Sequence, residues 1–152
     1  MASPKNNGIL IVDDQRDIAD LVKMLLEREG YNAHAFYDPF MALDHFRENF
    51  ENFVLVIADV RMPGISGIEL VSKIKEIEQE TIAILISAFE RDTIENEAKR
   101  CNIEIAEIFQ KPILLKKLRS CVGEHIKKNR IEEEEEEETK KSGLTSINGE
   151  TH

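Results

Sequence analysis

Cysteine is scarce in this chain. The two present, Cys101 and Cys121, fit neither a C-x-x-C pair nor a zinc-ligand spacing. A zinc module and a dithiol redox site are thereby excluded, and a reducing, cytoplasmic setting is expected. No apolar run comes near the roughly 20 residues that cross a bilayer, and the opening MASPKNNG has no apolar segment of signal-peptide type. Nucleotide-cradling loops of the GxGxxG or Walker kind are missing as well. Positive charge is also in short supply: 20 Lys and Arg stand against 30 Asp and Glu, for a net charge of −10. Such a balance supplies no electrostatic footprint for duplex DNA, so direct DNA binding is not expected.

What the chain does have is alternation. Short aliphatic runs at residues 9–12, 33–36, 54–58, 82–86 and 105–109 read as strands, and longer amphipathic stretches lie between them. Ile18, Leu21, Val22, Leu25 and Leu26 follow helical spacing and stop before Gly30. Further helices are predicted over residues 40–49, 67–77 and 91–100. A last one carries Leu114, Leu115, Leu118, Val122 and Ile126 on one side. Strand and helix repeated at this spacing imply right-handed crossovers and a parallel sheet covered on both faces. The prediction is one doubly wound α/β domain over residues 8–127, preceded by a disordered 1–7.

From residue 128 the character changes. Residues 128–152 hold seven consecutive glutamates, Glu132 to Glu138, and then a Ser/Thr/Gly/Asn-rich end. Mutual repulsion and a lack of apolar surface predict a disordered, solvated acidic tail, into which the last helix could run a turn or two. His34, His45, His125 and His152 are scattered without ligand spacing and read as packing or surface residues.

In an open parallel sheet, side chains at the carboxyl ends of adjacent strands face one crevice. Asp13 and Asp14 end the first strand in ILIVDD, and Asp59 ends the third in VLVIAD. If those strands are neighbours, their tips lie about 5 Å apart. Three carboxylates so close repel one another unless a cation sits among them, and oxygen ligands without His or Cys favour Mg2+ over zinc. Each aspartate taken alone is equally a turn or N-cap residue. Strand four ends at Ser87 and strand five at Lys111, offering a hydroxyl and an ammonium to the same crevice. That set suits an acyl phosphate on Asp59, with Lys111 and Ser87 on phosphoryl oxygens. Singly, Ser87 is a strand-end hydroxyl and Lys111 one lysine among many.

Together, Asp13-Asp14, Asp59-Val60-Arg61-Met62-Pro63-Gly64 with Gly67, Ser87-Ala88 and Lys111-Pro112 resemble the receiver domain of two-component response regulators over residues 8–127. The resemblance implies a five-stranded parallel sheet of order 2-1-3-4-5 with five helices, flavodoxin-like. It implies that Asp59 accepts a phosphoryl group from a sensor histidine kinase or a phosphotransfer protein. It also implies that Mg2+ is held by Asp14, Asp59 and the backbone carbonyl of Arg61, with Asp13 reaching it through water. Ser87 and Lys111 contact the phosphoryl group, and the Lys111-Pro112 bond is cis.

The switch aromatic of that family lies three residues before the lysine, where this chain has Ile108, with Phe109 one position later. Either the aromatic couple is absent or the fifth strand is irregular. Arg61 and Phe89 occupy the positions at which the family varies acyl-phosphate lifetime through water access. With no second domain expected, the chain reads as a single-domain regulator of a phosphorelay rather than an enzyme. It would assist its own phosphotransfer and dephosphorylation and act on an unknown protein target. A hydrolase with an aspartate nucleophile would need a second acid two residues after Asp13 or Asp59, where Gln15 and Arg61 stand. The remaining alternative is a receiver-like adaptor that binds partners without phosphorylation.

Overall fold

Buried apolar runs become the inner strands. In the computed structural model, which describes residues 7–150, every residue of β1 (Gly8–Val12) and β3 (Phe53–Asp59) is buried. β4 (Ile82–Ser87) is buried from Ala83 onward. β2 (Asn32–Phe36) and β5 (Glu107–Gln110) flank them as edges with mixed burial. All pairings are parallel, in the order β2-β1-β3-β4-β5, as expected from the resemblance. Continuous apolar sequence on the inner strands is what a sheet covered on both faces requires.

Two clusters of apolar side chains form the core, one on each face. Leu10, Val12, Val56, Ala58 and Leu85 point to one side, onto α2 (Pro39–Asn49), α3 (Gly67–Ile77) and α4 (Arg91–Arg100). Ile9, Ile11, Leu55, Ile57 and Ile84 point to the other, onto α1 (Arg16–Arg28) and α5 (Leu115–Glu150). Alternation along each strand assigns neighbours to opposite faces, so truncating Leu10 or Ile57 to Ala would each cost about 2–5 kcal/mol.

Helix starts follow their caps. Asp38 accepts from the Phe40 and Met41 amides and places Pro39 at the first turn of α2, and Ser66 accepts from the Glu69 amide at the start of α3. Ile94 and Ala98 bury the narrow apolar side of the otherwise polar α4. The apolar stripes are narrower than their spacing suggested. Leu21 lies at the edge of the α1 stripe and is exposed, and Leu114 precedes α5, also exposed, while Leu118, Val122 and Ile126 are buried. His34 and His45 pack together, ring centroids 5.5 Å apart, against Phe36 and Phe53. His152 lies outside the described residues.

Two expectations at the chain ends change. Asn7, assigned to a disordered 1–7, donates its side-chain amide to the Gly30 carbonyl at 3.0 Å and accepts from the Arg130 guanidinium at 3.1 Å. Residues 1–6 lie outside the described residues. α5 does not end near residue 127: it runs through the glutamate tract to Glu150. Glutamate is a good helix former, and a helix already nucleated by a packed segment extends without the cost of a new nucleus. Local propensity therefore prevails over side-chain repulsion, which exposure to water screens.

Candidate functional site

The parallel ladder fixes where the polar side chains emerge. Asp13 follows β1 directly, Asp59 is the last residue of β3, Ser87 the last of β4, and Lys111 follows β5. Backbone bonds hold these tips together: the Asp13 amide donates to Phe36 O, the Val60 amide to Ile86 O and the Lys111 amide to Ser87 O. All four residues therefore reach the C-terminal edge of the sheet, at the place where connections leave for opposite faces.

One carboxylate oxygen from each of Asp13, Asp14 and Asp59 lies within 4.8 Å of the others. Asp13 and Asp59 are 3% and 6% exposed, and Asp14 is open to solvent. The Lys111 Nζ donates to Asp59 Oδ2 at 3.3 Å, lies 3.5 Å from Asp13 Oδ2 and donates to Gln15 Oε1 at 2.6 Å. Asp13 Oδ1 accepts from the Gln15 amide at 2.9 Å. Among the buried side-chain oxygens of the described residues, Asp13 Oδ2 is the one without a hydrogen bond, its contact with Lys111 being the 3.5 Å ion pair. Burial of Asp59, reinforced by the charge of Asp13, raises its pKa to about 6 against the opposing pull of Lys111. A buried carboxylate oxygen without a hydrogen bond, beside two further acids and a single lysine, fits a hard divalent cation, and the all-oxygen donor set suits Mg2+.

Ser87 is fully buried, its Oγ accepting from the Phe89 amide at 2.9 Å. The Lys111-Pro112 peptide is cis. Arg61 is exposed on the loop after β3, and its guanidinium lies over the Phe89 ring, 4.4 Å from the centroid, so that two loops meet across the mouth of the site.

β5 keeps regular register, Leu85 opposite Ile108 and Ile86 opposite Phe109. Of the two readings of strand five, regularity is the one observed. Ile108 is buried in the same cluster as Ile94 of α4, and Phe109 packs on the opposite face, toward the cluster holding Leu118 and Val122. Phe109 therefore cannot take the place of an aromatic at 108.

Every residue selected from sequence for this crevice is at or beside the C-terminal edge. Gln15, which engages Lys111, was missed; its position next to Asp13-Asp14 was the available signal. Phe40 was missed too: its ring packs on Gly64 in the loop after β3, a contact that no local pattern announces.

A parallel 2-1-3-4-5 sheet with an acid cluster, a hydroxyl and a lysine at its C-terminal edge defines a class of signalling domain. Over residues 9–123 the chain matches the response regulator receiver domain, and it belongs to that family. Sporulation initiation phosphotransferase F of Bacillus subtilis is 30% identical over 80% of this chain and 94% of its own length. The uncharacterized transcriptional regulatory protein YkoG of the same organism is also 30% identical over 80% of this chain, which spans about half of that relative's length. Among solved structures, a CheY-like receiver domain protein from Methanospirillum hungatei superimposes with a TM-score of 0.74 at 26% identity, covering 84% of this chain and 98% of the other. The response regulator TrrA of Thermotoga maritima, solved with Mg2+ and BeF, gives a TM-score of 0.67 at 30% identity, covering 78% and 97%.

Proposed function

We infer that this receiver domain takes up a phosphoryl group on Asp59 from the phosphohistidine of a sensor kinase or phosphotransfer protein. The observation that carries the reading is Asp59 at the tip of β3, held by Lys111 at 3.3 Å and crowded by Asp13 and Asp14 within 4.8 Å. Asp13, Asp14, Asp59 and the Arg61 carbonyl would hold Mg2+, which supplies charge neutralisation between carboxylates and phosphoryl oxygens. In the transfer, an Asp59 oxygen forms a bond to phosphorus as the P–N bond of the donor breaks. The bonding pair leaves with the imidazole, which keeps the proton on its other ring nitrogen and departs neutral. Lys111 places a positive charge beside the acceptor oxygen, and the Ser87 hydroxyl is a donor for the transferred group.

On this reading the protein is a phosphoacceptor rather than a turnover enzyme and works in the cytoplasm as a relay component. Similarity to a phosphotransferase across nearly that relative's whole length supports the relay role. The acidic balance supports output through a protein target rather than direct DNA binding. The test is incubation with acetyl phosphate and Mg2+, with the modified residue located by mass spectrometry. A phosphoryl group on Asp59, absent from Asp59→Asn, is the expected result. An unlabelled wild type that still captures its partners would favour the adaptor alternative.

Two predictions concern the phosphorylated state. Phe89 is 45% exposed under the Arg61 guanidinium, placed to shield the phosphoryl group from water. Phe89→Ala should shorten the acyl-phosphate lifetime about two- to fivefold, the scale of a contact of about 0.5–1 kcal/mol. Equal hydrolysis rates for the two proteins would contradict the shielding role.

Signal leaves the site by way of α4. Ile108 and Ile94 share one cluster, and Arg91 on α4 is paired with Glu107 of β5 at 2.5 Å and Glu95 at 3.0 Å. Phosphorylation is expected to repack α4 with little aromatic rotation. Amide shifts should change from Ser87 to Arg100, and a map flat over that stretch would refute the route.

A further inference from the structure

We propose that Phe40 is a positioning residue for the metal side of the site: its ring clasps the tip of the β3–α3 loop at Gly64 and so holds the Arg61 carbonyl where the cation is taken up. The inference rests on the phosphoacceptor reading above for the identity of the cation, but not for the clasp.

The loop between β3 and α3 is fastened at both ends and at Met62, which is partly buried against the core cluster, and is open at its Pro63-Gly64 tip. Val60 is buried and its carbonyl accepts from the Gly67 amide at 2.9 Å; Ile65 is buried as well, and both belong to the core cluster with Leu43 and Phe46 of α2. Arg61, Pro63 and Gly64 are exposed, and Met62 between them is partly buried, so the tip at Gly64 is the part of the loop that the core does not hold. Gly64 has φ +97°, a conformation that side chains disfavour, so the tip depends on a residue that contributes no packing of its own. Phe40 fills that gap. A Cβ on Gly64 would fall 2.6 Å from Cε2 of the Phe40 ring and 3.3 Å from Cζ, so the ring edge lies directly on the Gly64 backbone.

Phe40 is itself fixed from below. It sits in the first turn of α2, where the Asp38 carboxylate accepts from its amide at 2.7 Å and Pro39 is buried. Phe40 is 50% exposed, with one ring edge against Gly64. A half-exposed aromatic contributes little to global stability. Its consequence is local: two residues, Met62 and Pro63, separate Gly64 from Arg61, and a tip free to move carries the Arg61 carbonyl with it.

The experiment reads the loop without metal and then the metal itself. Hydrogen exchange at Arg61, Met62 and Gly64 in the metal-free full chain should accelerate about tenfold in Phe40→Ala, while exchange in β1 and β3 stays unchanged. Mg2+ affinity, followed by titration of amide shifts, should fall about five- to tenfold, near the lower end of what removing a supporting residue costs a metal site. Phe40→Met, whose side chain reaches about as far, should restore most of both. Gly64→Ala, which drives the ring away, should have a smaller additional effect in Phe40→Ala than in the wild type.

Unchanged exchange at Arg61 and Gly64 in Phe40→Ala overturns the clasp. Accelerated exchange with unchanged Mg2+ affinity overturns its role at the metal. A wild type that binds no Mg2+ would instead overturn the phosphoacceptor reading, and the metal-free exchange data would still decide whether Phe40 holds the loop.

Discussion

Asp59→Asn is expected to be more stable than the wild type in the absence of divalent cations at pH 7 to 8, by about 1–2 kcal/mol. Native Asp59 holds its proton up to about pH 6 because burial and the Asp13 charge disfavour ionisation, whereas an unfolded carboxyl loses it near 3.8. Between those values the native chain binds more protons than the unfolded one, so wild-type stability falls as pH rises through the window. Below about pH 4 both states are protonated and the side chain costs nothing; above about 6 both are ionised and the native state carries the full cost. A difference of that size corresponds to about 3 kcal/mol at most, and coupling to Asp13 and Lys111 lowers what one substitution recovers. Asparagine has no charge to desolvate and keeps an oxygen for the Lys111 ammonium.

Urea unfolding in a chelator, at steps from pH 4 to 8, measures this directly. The two curves should converge at the acid end and separate above pH 6. Adding Mg2+ should then reverse the order, because a cation that binds the native wild type stabilises it by mass action and the neutral amide of the variant offers it less charge. A variant no more stable than the wild type at pH 8 without metal would mean that the carboxylate cluster is not under strain, and the physical case for a cation there would weaken with it.

How much of this was legible in advance depends on the range of the interaction. β3 and its terminal Asp59 could be read because burial on two faces leaves a continuous apolar run, and a polar residue ending it is conspicuous. α3 and α4 could be read because Leu70, Val71, Ile74 and Ile77 in one and Ile94 and Ala98 in the other fall at helical spacing. Residues 105–106 were read as strand on hydrophobicity, yet ordered pairing begins only at Glu107; the Ala106 amide does reach Ala83 O, as a single bond before the ladder. Periodicity sees side chains, and the ladder is made by backbone.

The residues missed are those joined across long stretches of chain. Lys111 and Gln15 are 96 positions apart, and Phe40 and Gly64 belong to different elements. Neither pair has a spacing to recognise. The glutamate tract failed for another reason: its composition supports helix by propensity and disorder by charge, and the packed turns at Leu118, Val122 and Ile126 that nucleate α5 lie upstream of it.

Gly67→Ala is expected to destabilise the protein by about 3 kcal/mol and to slow phosphoryl uptake on the order of 100-fold. Gly67 opens α3 and is buried against the end of β3. A Cβ there would lie 2.3 Å from the Asp59 carbonyl oxygen, 2.9 Å from its carbon and 3.1 Å from Val60 Cα. All three are backbone atoms, so no side chain can rotate away. Either α3 withdraws and breaks the Gly67 amide bond to Val60 O, or the segment carrying Asp59 moves.

The second outcome shifts the acceptor oxygen relative to Lys111 and the Asp13 carboxylate, which is why rate and stability should fall together. Gly123→Ala is the control. It lies within α5, its nearest neighbour would be the Tyr31 hydroxyl at 3.9 Å, and removing glycine's extra backbone freedom there should stabilise by about 0.5–1 kcal/mol. Chemical denaturation and the rate of labelling by acetyl phosphate, measured on both variants, separate the effect of a helix glycine from that of a forced close approach. If Gly67→Ala matched the wild type in both, the contact between α3 and the tip of β3 would not be what sets the position of Asp59.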